Sequence, residues 1–355
     1  MPAWNSAGLT LECFPPLPEH VAQPWDAADD YLLSEADTRL NTLIINDRFG
    51  ALTCALPSAR LWNDSASALS SARHNLALNA LPAADARMLA TLADLPADTR
   101  QILLQMPKSQ DQLHEWLTVI STKAPAATIL LAGMAKHIPI PLLNWLQANA
   151  DHYQQLPIRK KARLMRLQGW NKPLANRWKG YRAFDLSFEG RAGVFGREKL
   201  DIGSQVLLKH LTLPDQGTVI DIGCGNGLLA LVAKSRNTAL NVIATDDSQA
   251  ATESAAHNAQ INGLDIQVRH GDILSAVTEK ADLILCNPPF HDGHTQLTNI
   301  AQRMFEESAE HLTANGQLLV IANRHLPYLP LLRNSFRNVE VMSADQRFSV
   351  YACRR

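Results

Sequence analysis

One stretch of this chain occurs twice, and that recurrence constrains the fold more than any other feature. Asp64-Ser65…Ala68…Ser71-Ala72…His74-Asn75…Asn79…Leu81 returns without a gap, 183 positions later, as Asp247-Ser248…Ala251…Ser254-Ala255…His257-Asn258…Asn262…Leu264. Each copy follows a short apolar run and reads as an Ala-rich helix ending near Asn or Gly. The flanks agree. Thr42-Leu-Ile-Ile-Asn46 and Thr218-Val-Ile-Asp-Ile222 are buried-strand patterns upstream, and downstream Arg100–Pro107 parallels Ala281–Pro288. Short apolar strands alternating with helical stretches predict an α/β fold. The expectation is two tandem Rossmann-like domains arising by duplication, the second on a mostly parallel seven-stranded sheet. Gly169, Pro173 and Gly180 interrupt regular structure, so domains are expected over 1–168 and 185–355, with a basic linker over 169–184.

A length of 355 residues suffices for two such domains, and 46% apolar with 19% charged residues excludes a disordered chain. No apolar run approaches a membrane span, and Met1-Pro2-Ala3-Trp4-Asn5 lacks the basic start of a signal peptide. Cys13, Cys54, Cys224, Cys286 and Cys353 show no CxxC spacing and no His cluster, so neither a metal site nor a disulfide framework is expected. Free thiols fit the cytoplasm.

The halves differ where chemistry would sit. The second carries Asp221-Ile-Gly-Cys-Gly-Asn-Gly227 after its strand; the first has Asn46-Asp-Arg-Phe-Gly-Ala51, with one glycine for three. A Gly-rich strand-to-helix turn presents backbone N–H groups and a helix N-terminus to a ligand, and its glycines permit close approach. Several nucleotide cofactors use such turns, NAD among them. Asp246, at the end of the next strand, is placed for ribose hydroxyls; Asp272, after the third, is placed for an adenine amino group. Asp221 lies inside an apolar strand and needs a partner, for which a methionine ammonium group is suited.

Asn287-Pro288-Pro289-Phe290 follows the strand Leu283–Cys286. The prolines stiffen a loop at the carboxyl end of the sheet, where α/β folds bind ligands. Methylation of a planar amine or amide nitrogen needs such a loop. The Asn287 side-chain oxygen and the Pro288 carbonyl would each accept one amine N–H, aiming the lone pair, while Phe290 stacks on the base.

With these residues in view, the second half resembles the class I methyltransferases that modify the exocyclic amine of guanine in ribosomal RNA. The shared pattern is Gly193-Val-Phe195…Arg197…Leu200-Asp-Ile-Gly203, Asp221–Gly227, Asn287-Pro-Pro-Phe-His291 and Val320-Ile-Ala-Asn323. The first half resembles the large-subunit enzymes of that family at Trp25–Leu33, Asn46–Leu52 and Lys160-Lys-Ala-Arg-Leu164. The resemblance implies that S-adenosyl-L-methionine is held by Phe195, Asp221, Gly223, Gly225, Asn226, Gly227, Asp246, Asp272 and Asn287. It gives Asn287–Phe290 the target guanine and lets Phe195 and Arg197 close over the site. The first half is then a degenerate copy that no longer binds cofactor. Gly196, Lys199 and Asp272 depart from the family pattern, which often has Ser, Gly and Asn there.

Between His152 and Phe184 no acidic residue occurs, while nine basic ones do, with Trp170, Trp178 and Tyr181 among them. Arg159, Lys160, Lys161, Arg163 and Arg166, with Arg197, are the expected RNA contacts, and the tryptophans could stack on bases. The expected activity is guanine-N2 methylation of 23S rRNA by a monomer, without metal or membrane. Alternatives are 16S rRNA, methylation of a protein glutamine or DNA adenine, and a non-catalytic RNA-binding protein.

Overall fold

The computed structural model describes residues 3–4, 7–17, 23–172, 174–289 and 294–355, in two units, Met1–Arg177 and Trp178–Arg355. The first opens with a short ribbon, β1 (Ala3–Trp4) on β2 (Leu9–Thr10). Its six-stranded sheet runs β4 (Arg60–Trp62), β3 (Thr42–Ile45), β5 (Gln101–Gln105), β6 (Thr128–Met134), β8 (Ala162–Gln168), β7 (His152–Gln155). The first three pairings are parallel and the last two antiparallel. Central strands buried on both faces must be apolar throughout. Accordingly Leu43, Ile45, Ile102 and Leu104 cluster with Leu113 and Leu117 of α4 (Gln110–Lys123). Ile44 and Leu103, on the opposite face, cluster with Leu32 of α1 (Ala27–Glu35) and Leu52 of α2 (Ala51–Ala55). Helices α3 (Ala66–Leu78) and α5 (Ile140–Asn149) complete this unit.

The second unit opens with a hairpin, β9 (Lys179–Ala183) on β10 (Leu186–Gly190). The end of the expected linker is therefore regular, and Gly180 has a packing reason: a Cβ there would lie 2.2 Å from the Phe188 carbonyl. The main sheet has seven strands in the order β13 (Gln267–His270), β12 (Asn241–Asp246), β11 (Thr218–Ile222), β14 (Ala281–Cys286), β15 (Leu312–Asn323), β17 (Phe348–Arg354), β16 (Asn338–Ala344). Four pairings are parallel; β15–β17 and β17–β16 are antiparallel, so the sheet is mixed. The chain passes from β16 to β17 by a short turn, and a turn without a crossover helix can only reverse direction. Val219, Leu283 and Leu285 pack with α6 (Ile202–Lys209), α7 (Leu228–Arg236) and α8 (Gln249–Ile261). Ile220, Ile222 and Ile284 pack with α9 (His294–His311) and α10 (Tyr328–Ser335).

The recurring residues repeat contacts as well as identities. Ser65 and Ser248 cap α3 and α8, each accepting at 3.2 Å from the N–H three residues on. Asn75 accepts from Glu12 N and donates to Glu12 O and Phe49 O; Asn258 makes the same three bonds with Glu189 and Asn226. Asn79 brackets the Thr10 backbone as Asn262 brackets that of Ser187. His74–Glu12 and His257–Glu189 are both 2.8 Å. Gly50 (φ 78°) and Gly227 (φ 82°) precede α2 and α7, and Cβ atoms on them would meet Ala72 and Ala255 at 2.4 Å and 3.0 Å. The common residues thus tie a helix to an extended segment and to the turn beside it.

Candidate active site

At the carboxyl end of β11 the chain turns through Gly223, Gly225 and Gly227, all with positive φ, into α7. Gly223 N and Cys224 N both donate to the Thr245 carbonyl, at 2.8 and 3.0 Å, which docks the turn on β12. The glycines answer to different neighbours. Gly227 backs onto α8, whereas a Cβ on Gly225 would lie 3.3 Å from the Phe195 carbonyl. Asp246, ending β12, accepts from Gly225 N and Ser248 N, both at 2.9 Å, and so braces the turn against the start of α8.

Asp221 is 1% exposed on β11. Its Oδ2 accepts from Ala230 N at 3.0 Å, so the buried carboxylate has found a partner in the first turn of α7. Burial pushes its pKa up to about 7; the Ala230 bond opposes the shift and the Asp246 charge adds to it. A poised carboxylate at this depth suits a cationic ligand.

One cavity gathers Tyr181, Phe195, Asp201, Ser204, Asp221, Gly223, Gly225, Asn226 and Asn287. Asn287, just past β14, donates Nδ2 to Asp201 Oδ2 at 3.1 Å and to Ser204 Oγ at 3.0 Å. A carboxylate only accepts, so the amide nitrogen must face it. Asn287 Oδ1 is left buried, with no hydrogen-bond partner among the described residues. Asp201 is itself fixed as the N-cap of α6 by Ser204 N at 2.7 Å. A buried acceptor without a partner is costly, and an incoming N–H would relieve it.

Asn226 donates to Tyr181 Oη at 3.3 Å and to the Gly196 carbonyl at 3.2 Å, tying the 193–197 segment to the glycine turn. Phe195 stands 50% exposed on the cavity. Gly227, Asp246 and Asp272 lie off its described lining. Asp272 is instead paired with Arg303 at 2.7 Å. Arg197 is 9% exposed and donates Nε to the Gly190 carbonyl at 3.1 Å, bracing the end of β10 with its guanidinium turned inward. Pro288 is buried and Pro289 exposed; Phe290 lies outside the described residues. Sequence reasoning passed over Tyr181, Asp201 and Ser204 as site residues. The one available signal was the Leu200-Asp-Ile-Gly203 segment of the shared family pattern.

All the expected RNA contacts but Arg197 fall on the β7–β8 hairpin of the first unit. Arg159 and Arg166 both reach Glu35, at 3.2 and 3.4 Å, and Lys160 reaches Asp30 at 3.4 Å. Arg159 also lies over the Tyr31 ring. Lys161 is exposed, and Arg163 has a buried Nε without a partner among the described residues. Trp170 cannot serve as a stacking platform in this arrangement: it is 8% exposed, packed on Trp145 and His114. Trp178 stacks on His257. Among the described residues no group of His, Cys, Asp and Glu could hold a metal ion, and no helix is long and apolar enough to cross a membrane.

Residues 185–352 match the Methyltransferase small domain family, and residues 2–170 the RLMG N-terminal domain family. The chain is 34% identical to ribosomal RNA large subunit methyltransferase G of Erwinia tasmaniensis, over 96% of each chain. It is 31% identical to the Yersinia pestis protein of that name, over 98% of this chain and 92% of the relative. In fold it is similar to a T. thermophilus 16S rRNA N2 guanine methyltransferase solved in complex with AdoMet and guanosine, with a TM-score of 0.80 over 98% of both chains at 20% identity.

Proposed function

The chain belongs to the ribosomal RNA large subunit methyltransferase G family, and we propose that it methylates the exocyclic N2 of a guanine in large-subunit (23S) ribosomal RNA. It is an S-adenosylmethionine-dependent enzyme. The observation that carries the reading is Asn287 Oδ1, a buried acceptor without a partner among the described residues, at the cavity edge, while its amide nitrogen is fully engaged.

The described residues fit the cofactor: a glycine turn whose Gly223 and Gly225 line the cavity, and a buried carboxylate at Asp221 able to meet an ammonium group. S-adenosylmethionine supplies a sulfonium methyl that the guanine nitrogen lone pair takes up, while sulfur keeps the electrons of the broken C–S bond. The protein's part is orientation. Asn287 Oδ1 accepts one amine N–H and the Pro288 carbonyl the other, which aims the lone pair and favours the positive charge growing on nitrogen. No strong base is needed, because the N–H proton becomes acidic as the methyl arrives and passes to water.

The first unit reads as a diverged copy that presents RNA. Asn46 holds the place and the positive φ (65°) of Gly223 (68°), and Arg48 the place of Gly225, so side chains stand where the second unit leaves room. Arg159, Lys160, Lys161, Arg163 and Arg166 are the phosphate contacts of this reading, and Arg197 joins them if it turns outward. A monomer working in the cytoplasm completes it.

Methyl transfer from labelled S-adenosylmethionine to protein-free large- and small-subunit rRNA, with Asn287→Ala as control, tests the proposal. N2-methylguanine in large-subunit RNA alone, formed far more slowly in the control, supports it. Label in small-subunit RNA alone overturns the substrate, and label unaffected by the substitution overturns the site.

A further inference from the structure

We propose that Asp201, together with Ser204, is the positioning pair that fixes which way the Asn287 amide faces, and that the rate of methyl transfer depends on that polarity. The inference rests on the methyl-transfer reading of the site.

The two ends of an amide are nearly the same size, so packing alone leaves Asn287 free to present either oxygen or nitrogen to the cavity. Only an oxygen can accept an amine N–H; an NH2 turned the same way would repel it. Ser204 cannot decide the matter, because a hydroxyl donates or accepts as required. Asp201 can, because its carboxylate has no proton to give. Both Nδ2 protons of Asn287 are directed at this pair, at 3.1 Å to Asp201 Oδ2 and 3.0 Å to Ser204 Oγ. In the flipped state two oxygens would face each other across the same gap.

Asp201 is also anchored. The same Oδ2 receives Ser204 N at 2.7 Å as the N-cap of α6, so the acceptor cannot swing away without uncapping the helix. Gly203 keeps the corner open: a Cβ there would lie 3.0 Å from Asp201 Oδ2 and 3.7 Å from Asn287 Oδ1.

Capping and positioning can be separated by substitution. Serine caps a helix about as well as aspartate but is a bond shorter, so Asp201→Ser keeps the cap and no longer reaches Asn287. Asp201→Asn keeps an oxygen at the anchored position, so it is the rescuing variant. Asp201→Ser should lower kcat roughly 10- to 100-fold, with cofactor affinity unchanged and the protein still folded cooperatively. Asp201→Asn should recover most of that loss, and Asp201→Ser should cost nothing further in an Asn287→Ala background. A wild-type kcat in Asp201→Ser, or an undiminished loss in the Asn287→Ala background, would overturn the proposal. The second readout is hydrogen exchange of the Asn287 side-chain NH2 by NMR in the free protein, assigned by its absence in Asn287→Ala. Faster exchange in Asp201→Ser than in wild type is expected, and equal exchange would sink the positioning claim. Should wild type methylate neither rRNA, the substrate reading fails, while the exchange comparison still decides whether Asp201 holds Asn287.

Discussion

The carboxylate of Asp221 and the backbone N–H of Ala230 meet at 3.0 Å, so a strand residue 1% exposed to solvent caps the helix that follows it. The bond favours the charged form and burial disfavours it; burial wins, leaving the pKa at about 7.

The first consequence concerns stability. Folded Asp221 keeps a proton that the unfolded chain has already released, between the ordinary value of 3.8 and about 7. Its contribution is therefore most favourable below that window and falls as pH rises through it. From about pH 5 to pH 7.5, wild type should lose on the order of 3 kcal/mol relative to Asp221→Asn, which cannot titrate. Denaturant unfolding at the two pH values checks this.

A second consequence concerns the cofactor. A cationic ammonium group prefers the ionised carboxylate, so binding near or below pH 7 should expel the Asp221 proton. Affinity should rise up to ~10-fold per pH unit below the pKa and level off above it. Calorimetry in buffers of different ionisation heat should show the proton release in wild type and none in Asp221→Asn.

The Asn258 side chain makes three hydrogen bonds to backbone groups on two segments. Asn258→Ala strands those groups in the interior and should cost roughly 2–4 kcal/mol, as should Asn75→Ala in the first unit. Chemical unfolding measures both, and near-neutral values would show that water replaces the amide.

Alanine at the two cap glycines should rank by space. At Gly50 the new methyl meets the Ala72 Cα at 2.4 Å, against 3.0 Å from the Ala255 methyl at Gly227. Both have positive φ, so each variant is strained, by about 1 kcal/mol or more. Gly50→Ala should be distinctly the worse in a thermal melt. Equal destabilisation would mean that α3 shifts to accommodate the methyl.

Reversing charge at Lys161 and Arg163 should weaken RNA binding at every sequence tested. It should also flatten the salt dependence, reducing the slope of log affinity against log salt by about 0.7–0.9 for each phosphate no longer neutralised. Affinity measured across a salt series decides, and an unchanged slope would remove these residues from the interface.

Much of the fold is readable from the chain. Central strands buried on both faces force continuous apolar runs, so β3, β5, β11, β12 and β14 announce themselves. The glycine turn and Asn287 are legible because their chemistry is local. What escapes has distant partners. Asp201 stands in the shared family pattern with no role to be read for it, since Asn287 lies 86 positions away. Trp170 sits in a basic run but is enclosed by Trp145 and His114. The repeat is visible as identities, yet its cause is hidden: Asn75 and Asn258 serve backbone carbonyls, a role their spacing does not reveal. The antiparallel β17 goes unrecognised because nothing in its composition separates it from a parallel strand.

Helix α1 supplies counterions to the β7–β8 hairpin. Glu35 serves both Arg159 and Arg166, and Asp30 holds Lys160. An isolated phosphate offers these cations little that the carboxylates do not already provide. A long polyanion gains by shedding its condensed ions at every phosphate it presents, and that gain multiplies along the strand. On the proposed reading of this hairpin as an RNA contact, its cations should discriminate by valence, responding to a strand rather than to free nucleotides.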